Sequence, residues 1–211
     1  MKISELSDLT GVPPATVKFY VREGLLPSGE RTSANQSNYD EAHVARLKLI
    51  RAFIEVGGLS VASAKAVLAA IDDDQLPFGY AIGIAAHALP HSIDSIGASG
   101  RGAEIVSKLV EKRGWLVGSD NAGLPLVARV LDDYAALGRE DLMLTLDAYA
   151  DIAETIAQTD LRAVADSADR AEQTETIVIG TVLGDALLAG LRRLTHENAA
   201  RNLFPVPDQA Q

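Results

Sequence analysis

The stretch ISELSDLTGVPPATVKFYVREGLLP, residues 3–27, decides how the first third of the chain is read. Ile3, Leu6 and Leu9 fall three apart, which places them together on a short helix with Ser4 as its expected N-cap. Gly11 ends that helix, and Pro13 and Pro14 follow. Proline is favoured at a first helical position, so a second helix is expected from Pro14 to Glu23, stopping at Gly24. Val17 and Val21 lie one turn apart and are expected to face the first helix, which leaves Thr16, Lys18, Phe19 and Arg22 largely on other faces.

Outward from this stretch, Leu25 to Asn38 is rich in turn formers and has no helical period. Asp40 then reads as the N-cap of a longer helix, with Val44, Leu47, Ile50, Ile54 and Val56 as its apolar face. Gly57 and Gly58 end it, and Ser60 caps another helix through Val61, Ala64, Val67, Leu68 and Ile71. The run Asp72–Asp73–Asp74, with Gln75 and Pro77 behind it, is the sharpest composition break in the chain. A domain boundary is expected there, with a head at 1–71, a second domain at 76–205 and a tail at 206–211. Beyond the break, helical spacing recurs at roughly 77–89, 101–115, 124–137, 140–157 and 171–203, with no run of period two long enough to demand a strand.

The residues of the head, with Tyr39, HVARLKLIRAF at 43–53 and GGLSVASAKAVL at 57–68, resemble the DNA-binding domain of MerR-type transcription regulators. The resemblance covers residues 1 to about 71. It implies a winged helix-turn-helix, so the expected fold class is all-α with a small wing, followed by a helical bundle. In a helix-turn-helix the second helix sets its N-terminal residues against base edges in the major groove. Thr16 and Lys18 stand where such a helix offers a hydroxyl and a cation. Phe19 and Tyr20 are expected along the sugar-phosphate wall, Tyr20 also fitting a place in the core, while Arg22 and the wing's Arg31 are expected at phosphates. Asn38 and Tyr39 complete the candidate surface at the base of the wing, where amides stand in place of the family's usual Gly-Tyr-Arg.

Charge fits this division. The formal net charge is −10. Residues 1–71 hold eight Lys/Arg against seven Asp/Glu, so the acidity belongs to the remainder, which is not expected to touch DNA. Members of the family commonly dimerise through a long helix after the head, and Asp72 to Pro77 interrupts it here. The last long helix is the alternative. Val178, Val182, Leu183, Leu187 and Leu191 are its candidate interface residues, and Gly180, Gly184 and Gly190 allow close approach, either to a partner or inside the same subunit. TVLGDALLAGLRRL loosely resembles the final, dimer-forming helix of TetR-type regulators.

The second part also holds Phe78, Tyr80, Trp115, Tyr134 and Tyr149, which fit either plain core packing or the walls of a pocket for an apolar small-molecule effector. His87 and His91, one turn apart, lack any supporting metal motif, and no cofactor is expected. With no cysteine in 211 residues, thiolate catalysis and thiolate metal sensing are excluded. No nucleophile elbow, phosphate loop or dinucleotide motif appears, so no enzyme is expected. Ile177 to Leu191 is interrupted by Asp185 and reads as too short and polar to span a membrane, and no secretory leader is seen, so the expected location is cytoplasmic. The function expected is a homodimeric, promoter-binding MerR-type regulator that distorts its DNA for RNA polymerase, with an effector-free architectural DNA-bending protein as the alternative.

Overall fold

The computed structural model describes residues 1–33, 36–90, 100–165 and 169–204. Nine α-helices and one two-stranded sheet make up the regular structure of the described residues, so the fold is all-α with a small wing. Helix α1 (Ile3–Thr10) begins two residues earlier than Ser4 capping requires. Lys2 is the N-cap instead, and the Glu5 carboxylate accepts its backbone N–H at 2.6 Å. Helix α2 (Pro14–Glu23) has the expected bounds. Gly11 and Gly24 close the two helices at φ 69° and 77°, a left-handed backbone that a side chain would strain.

Strands β1 (Glu30–Ser33) and β2 (Gln36–Asn38) pair antiparallel as the wing, with Arg31 opposite Ser37 and an irregularity in register after it. The N-terminal ammonium donates to the Tyr39 carbonyl at 2.7 Å and Tyr39 N–H returns a bond to the Met1 carbonyl at 2.9 Å, which ties the wing's exit to the start of the chain. Helix α3 (Glu41–Arg51) starts on the expected Asp40 cap, whose carboxylate accepts the His43 N–H. It passes into a π-turn over Ala52–Val56 rather than running on as an α-helix. Helix α4 (Val61–Asp72) starts on the expected Ser60 cap.

After α5 (Phe78–Ala88), α6 (Arg101–Arg113) and α7 (Gly123–Ala136), the periodic stretch read as 140–157 divides. Glu140–Thr145 is a 3-10 turn, and α8 runs from Leu146 to Ala165. Both pieces carry apolar residues three or four apart, so periodicity alone does not separate them. Helix α9 (Arg170–Leu203) is 34 residues long, about 50 Å.

The main core joins Leu6, Val17, Leu25, Leu47, Ile50 and Phe53 of the head to Ala81 and Ala85 of α5 and to Ile177, Val178 and Val182 of α9. It runs across the Asp72–Pro77 link without a break. Asp72 itself binds back to α3 through the Arg46 guanidinium, which also donates to the Leu25 carbonyl at 3.0 Å. Val178 and Val182 were expected between subunits. They are fully buried in their own chain instead, because Gly57 lets α9 close on the π-turn: a Cβ there would stand 2.5 Å from Val182 Cγ1. Leu183 is half-buried on the same core, while Leu187 and Leu191 remain exposed. A second, smaller core of Val106, Ala128 and Leu131 holds α6 against α7, with Met143 and Leu146 packed on it.

By length and hydropathy α9 is long and apolar enough to cross a bilayer, which differs from the reading of its central stretch alone. The added length comes from Arg170–Thr176 and Arg192–Leu203, and the first half of the helix is held in the main core. The helix is therefore a packed helix with an exposed end. His91 and the tail at 206–211 lie outside the described residues.

Candidate nucleic-acid interface

The geometry of the head begins with the turn between α1 and α2. Thr10 Oγ1 donates to the Leu6 carbonyl at 2.7 Å, and the Arg51 guanidinium donates to the Thr10 carbonyl at 2.8 Å. Arg51 is held in turn by Glu55, with bonds of 3.0 and 2.8 Å. That hydrogen bonding raises the Arg51 pKa and lowers that of Glu55. Arg51 thus holds the end of α1, where the turn into α2 begins. It is a positioning residue that sequence reading missed, since its partner in the turn lies 41 residues away and no linear spacing marks the pair.

On α2, Val17 is buried and Val21 half-buried against the core. Lys18 is exposed and Thr16 half-buried. Lys18 and Arg31 make no ion pair among the described residues, so both cations face solvent without a carboxylate to neutralise them. Arg22 is exposed, lies over the Phe19 ring at 5.2 Å and reaches Glu23 at 3.2 Å. Asn38 is exposed at the end of β2, and Tyr39 packs edge-on to His43 with centroids 5.1 Å apart.

Of the two places expected for Tyr20, the DNA wall and the core, it takes the core. It retains only 9% of its surface, and its ring packs in the main core. Burial, assisted by the nearby Glu55 charge, pushes its phenol pKa up, so its proton is held more firmly than usual. The structure therefore brings Thr16, Lys18, Phe19 and Arg22 together on α2, sets Arg31 and Asn38 on the wing, and moves Tyr20 inward.

The MerR HTH regulatory-protein family matches residues 1–71. Residues 1–71 are a MerR-family HTH domain. A ZntR homolog of Haemophilus influenzae, named as an HTH-type transcriptional regulator, is 40% identical over 50 residues, which is 24% of this chain and 37% of that one. The mercuric resistance operon regulatory protein of Bacillus cereus is 39% identical over 56 residues, 26% of this chain and 42% of that one. The match thus spans less than half the length of these relatives. The crystal structure of SCO5550 from Streptomyces coelicolor A3(2), described as a transcriptional regulator, is similar over 98% of this chain and 99% of that one, at 30% identity and a TM-score of 0.63. MerR-family proteins are DNA-binding regulators, not enzymes.

Outside the MerR-type head, three of the five aromatic candidates share one cavity. Trp115, Tyr134 and Tyr149 line an apolar hollow of about 380 Å³ between α6, α7, the 3-10 turn and α8, with Leu109, Val127 and Met143. Trp115 Nε1 donates to Glu154 at 2.8 Å, which fixes the indole as a wall. Arg113 clamps the same corner, bonding Asp151 at 2.7 Å, Glu154 at 3.2 Å and the Asp147 carbonyl at 2.8 Å. These carboxylates hold its guanidinium well above the usual arginine pKa, so it stays charged. Phe78 and Tyr80 do not join this cavity. Phe78 packs on the main core, and Tyr80 is exposed on a wider groove between α4, α5 and residues 118–122. Both sit on α5, which packs on α4 and α9. His87 Nε2 meets the Asp120 carbonyl at 2.9 Å.

Proposed function

We propose that this protein regulates transcription as a homodimer: two heads bind promoter DNA, distort it for RNA polymerase, and answer to an apolar or aromatic small molecule held by the second part of the chain. The observation that carries the DNA reading is α2 itself, with Val17 in the core, Lys18 exposed and Thr16 half-buried, on a helix whose preceding turn is held by Arg51. Thr16 and Lys18 read base edges, while Arg22, Arg31, Asn38 and the rim of Tyr39 position the backbone. Residues 1–71 act as the reading unit, inside the cell where the DNA lies, and residues 76–205 as the regulatory part.

The cavity beside Trp115 supports the sensing reading over an effector-free bending protein. Its walls are apolar and aromatic, and its volume falls at the lower end for small-ligand sites. A ligand acts by preferring one conformation, and a tenfold preference supplies about 1.4 kcal/mol. Because Trp115 is the only tryptophan, its fluorescence reports occupancy cleanly. Titration with a panel of hydrophobic aromatic compounds is expected to shift that signal and to change promoter output together. If promoter fragments are bound and no compound moves either signal, the sensing half of the reading fails and the DNA-binding half stands.

A further inference from the structure

The cavity between α6, α7, the 3-10 turn and α8 carries more chemistry than its apolar walls alone. Among the described residues its lining holds no charged side chain. Trp115, Tyr134, Thr145 and Tyr149 are the lining side chains with an N–H or O–H to donate. Half of these are already bound inside the chain. Trp115 Nε1 donates to Glu154, and Thr145 Oγ1 donates to the Leu142 carbonyl at 2.8 Å. The Tyr134 and Tyr149 hydroxyls make no hydrogen bond among the described residues. The backbone groups of α7 and α8 are spent on their own helical turns. The phenols are therefore the hydrogen-bonding groups left for a ligand.

Charge of both signs stands outside this lining. Asp147, Asp151 and Glu154 bond Arg113, and Lys112 also bonds Asp147. The Arg113 guanidinium lies 5.8 Å from the Trp115 ring centroid, where it already uses the indole's attraction for positive charge. A cation beside Trp115 would therefore meet a fixed like charge. An anion would find no cation on the lining and three carboxylates beyond it, and its burial unpaired is strongly unfavourable. The volume of about 380 Å³ is roughly two and a half times the ~150 Å³ that takes up benzene, which suits a fused-ring skeleton. We propose that this site selects an uncharged fused-ring aromatic compound with a neutral oxygen acceptor, received by the Tyr134 or Tyr149 hydroxyl. The inference rests on the sensing reading above and adds the charge, size and polar contact of the ligand.

The test holds one skeleton constant and varies its substituent, with the full-length protein in a titration calorimeter. The probes are naphthalene, its methyl ketone, its carboxylate and its aminomethyl derivative, the last protonated at neutral pH. The ketone is expected to bind about three- to tenfold more tightly than naphthalene, the worth of one hydrogen bond. Both charged probes are expected to bind at least about a hundredfold more weakly than the ketone. Tyr134→Phe or Tyr149→Phe is expected to bring the ketone down to the affinity of naphthalene, with melting curves to check that each variant is folded. A charged probe that binds as tightly as the ketone and changes promoter output overturns the uncharged class and leaves the sensing reading standing. A ketone with no advantage over naphthalene, or an advantage that survives both substitutions, overturns the phenol contact. Failure of all these probes to bind overturns the ligand class, and the sensing reading is then decided by the wider panel above.

Discussion

Lys18 and Tyr20 sit two positions apart on α2 and have opposite environments, one solvated and one in the core. Lys18→Ala is expected to weaken specific DNA binding by about 1–3 kcal/mol and to relax preference at one base position. Gel shifts against a library randomised at the operator measure this. An equal loss on every sequence would make Lys18 a phosphate contact, and no loss would remove it from the interface. Tyr20→Ala is expected to act on stability instead, lowering it by about 3 kcal/mol as the large core ring is lost. Thermal melting of the free protein is the measurement, and an unchanged melting temperature with lost DNA affinity would return Tyr20 to the DNA wall.

Helix α9 has one face in the core and another exposed, and substitutions at neighbouring turns separate them. Val182 is buried against the π-turn and Gly57, so Val182→Asp places an unpaired charge in the core and is expected to unfold the chain or lower its melting point sharply. Leu187 is exposed, so Leu187→Asp is expected to leave each subunit folded while abolishing the proposed dimer. Circular dichroism and light scattering distinguish the two outcomes. A folded, dimeric Leu187→Asp protein would remove Leu187 from the dimer interface. The contact of α9 with the π-turn also joins the second part of the chain to the end of α3, whose Arg51 bonds the end of α1.

At the scale of the molecule, several exposed carboxylates are held below their ordinary range. Asp40 is lowered chiefly by its bond to the His43 side chain, Glu55 by Arg51, Asp141 by Arg139, and Asp147 by Lys112 and then Arg113. The folded chain therefore binds fewer protons at these groups than the unfolded one. Their contribution to stability is present above the ordinary carboxylate range and is lost as pH falls through the depressed folded values. Melting temperature is expected to fall as the medium is acidified below about pH 4, with the Asp147→Asn variant showing a shallower fall at low salt. A variant curve parallel to the parent would mean that the α6–α8 clamp does not contribute.

Much of the head was legible in the residues alone, because its signals are local. Gly11, Gly24, Asp40 and Ser60 mark helix ends through their own backbone preferences or side-chain bonds, and these act within a few positions in any context. The wing was expected only through the resemblance to MerR-type heads, since Leu25–Asn38 carries no period of its own. Tertiary structure decided the rest, where the deciding partner is remote. Arg51 shows its purpose only when α3 returns beside Thr10, and Trp115 meets Tyr134 and Tyr149 only when α6, α7 and α8 pack. Val182 and Leu187 look alike as apolar residues on one helix. Gly57, more than a hundred positions earlier, is what draws the first into the core, and nothing in the described chain covers the second. Hydrophobic burial has no direction of its own, so periodicity marks a face as apolar and only packing determines which face meets which neighbour.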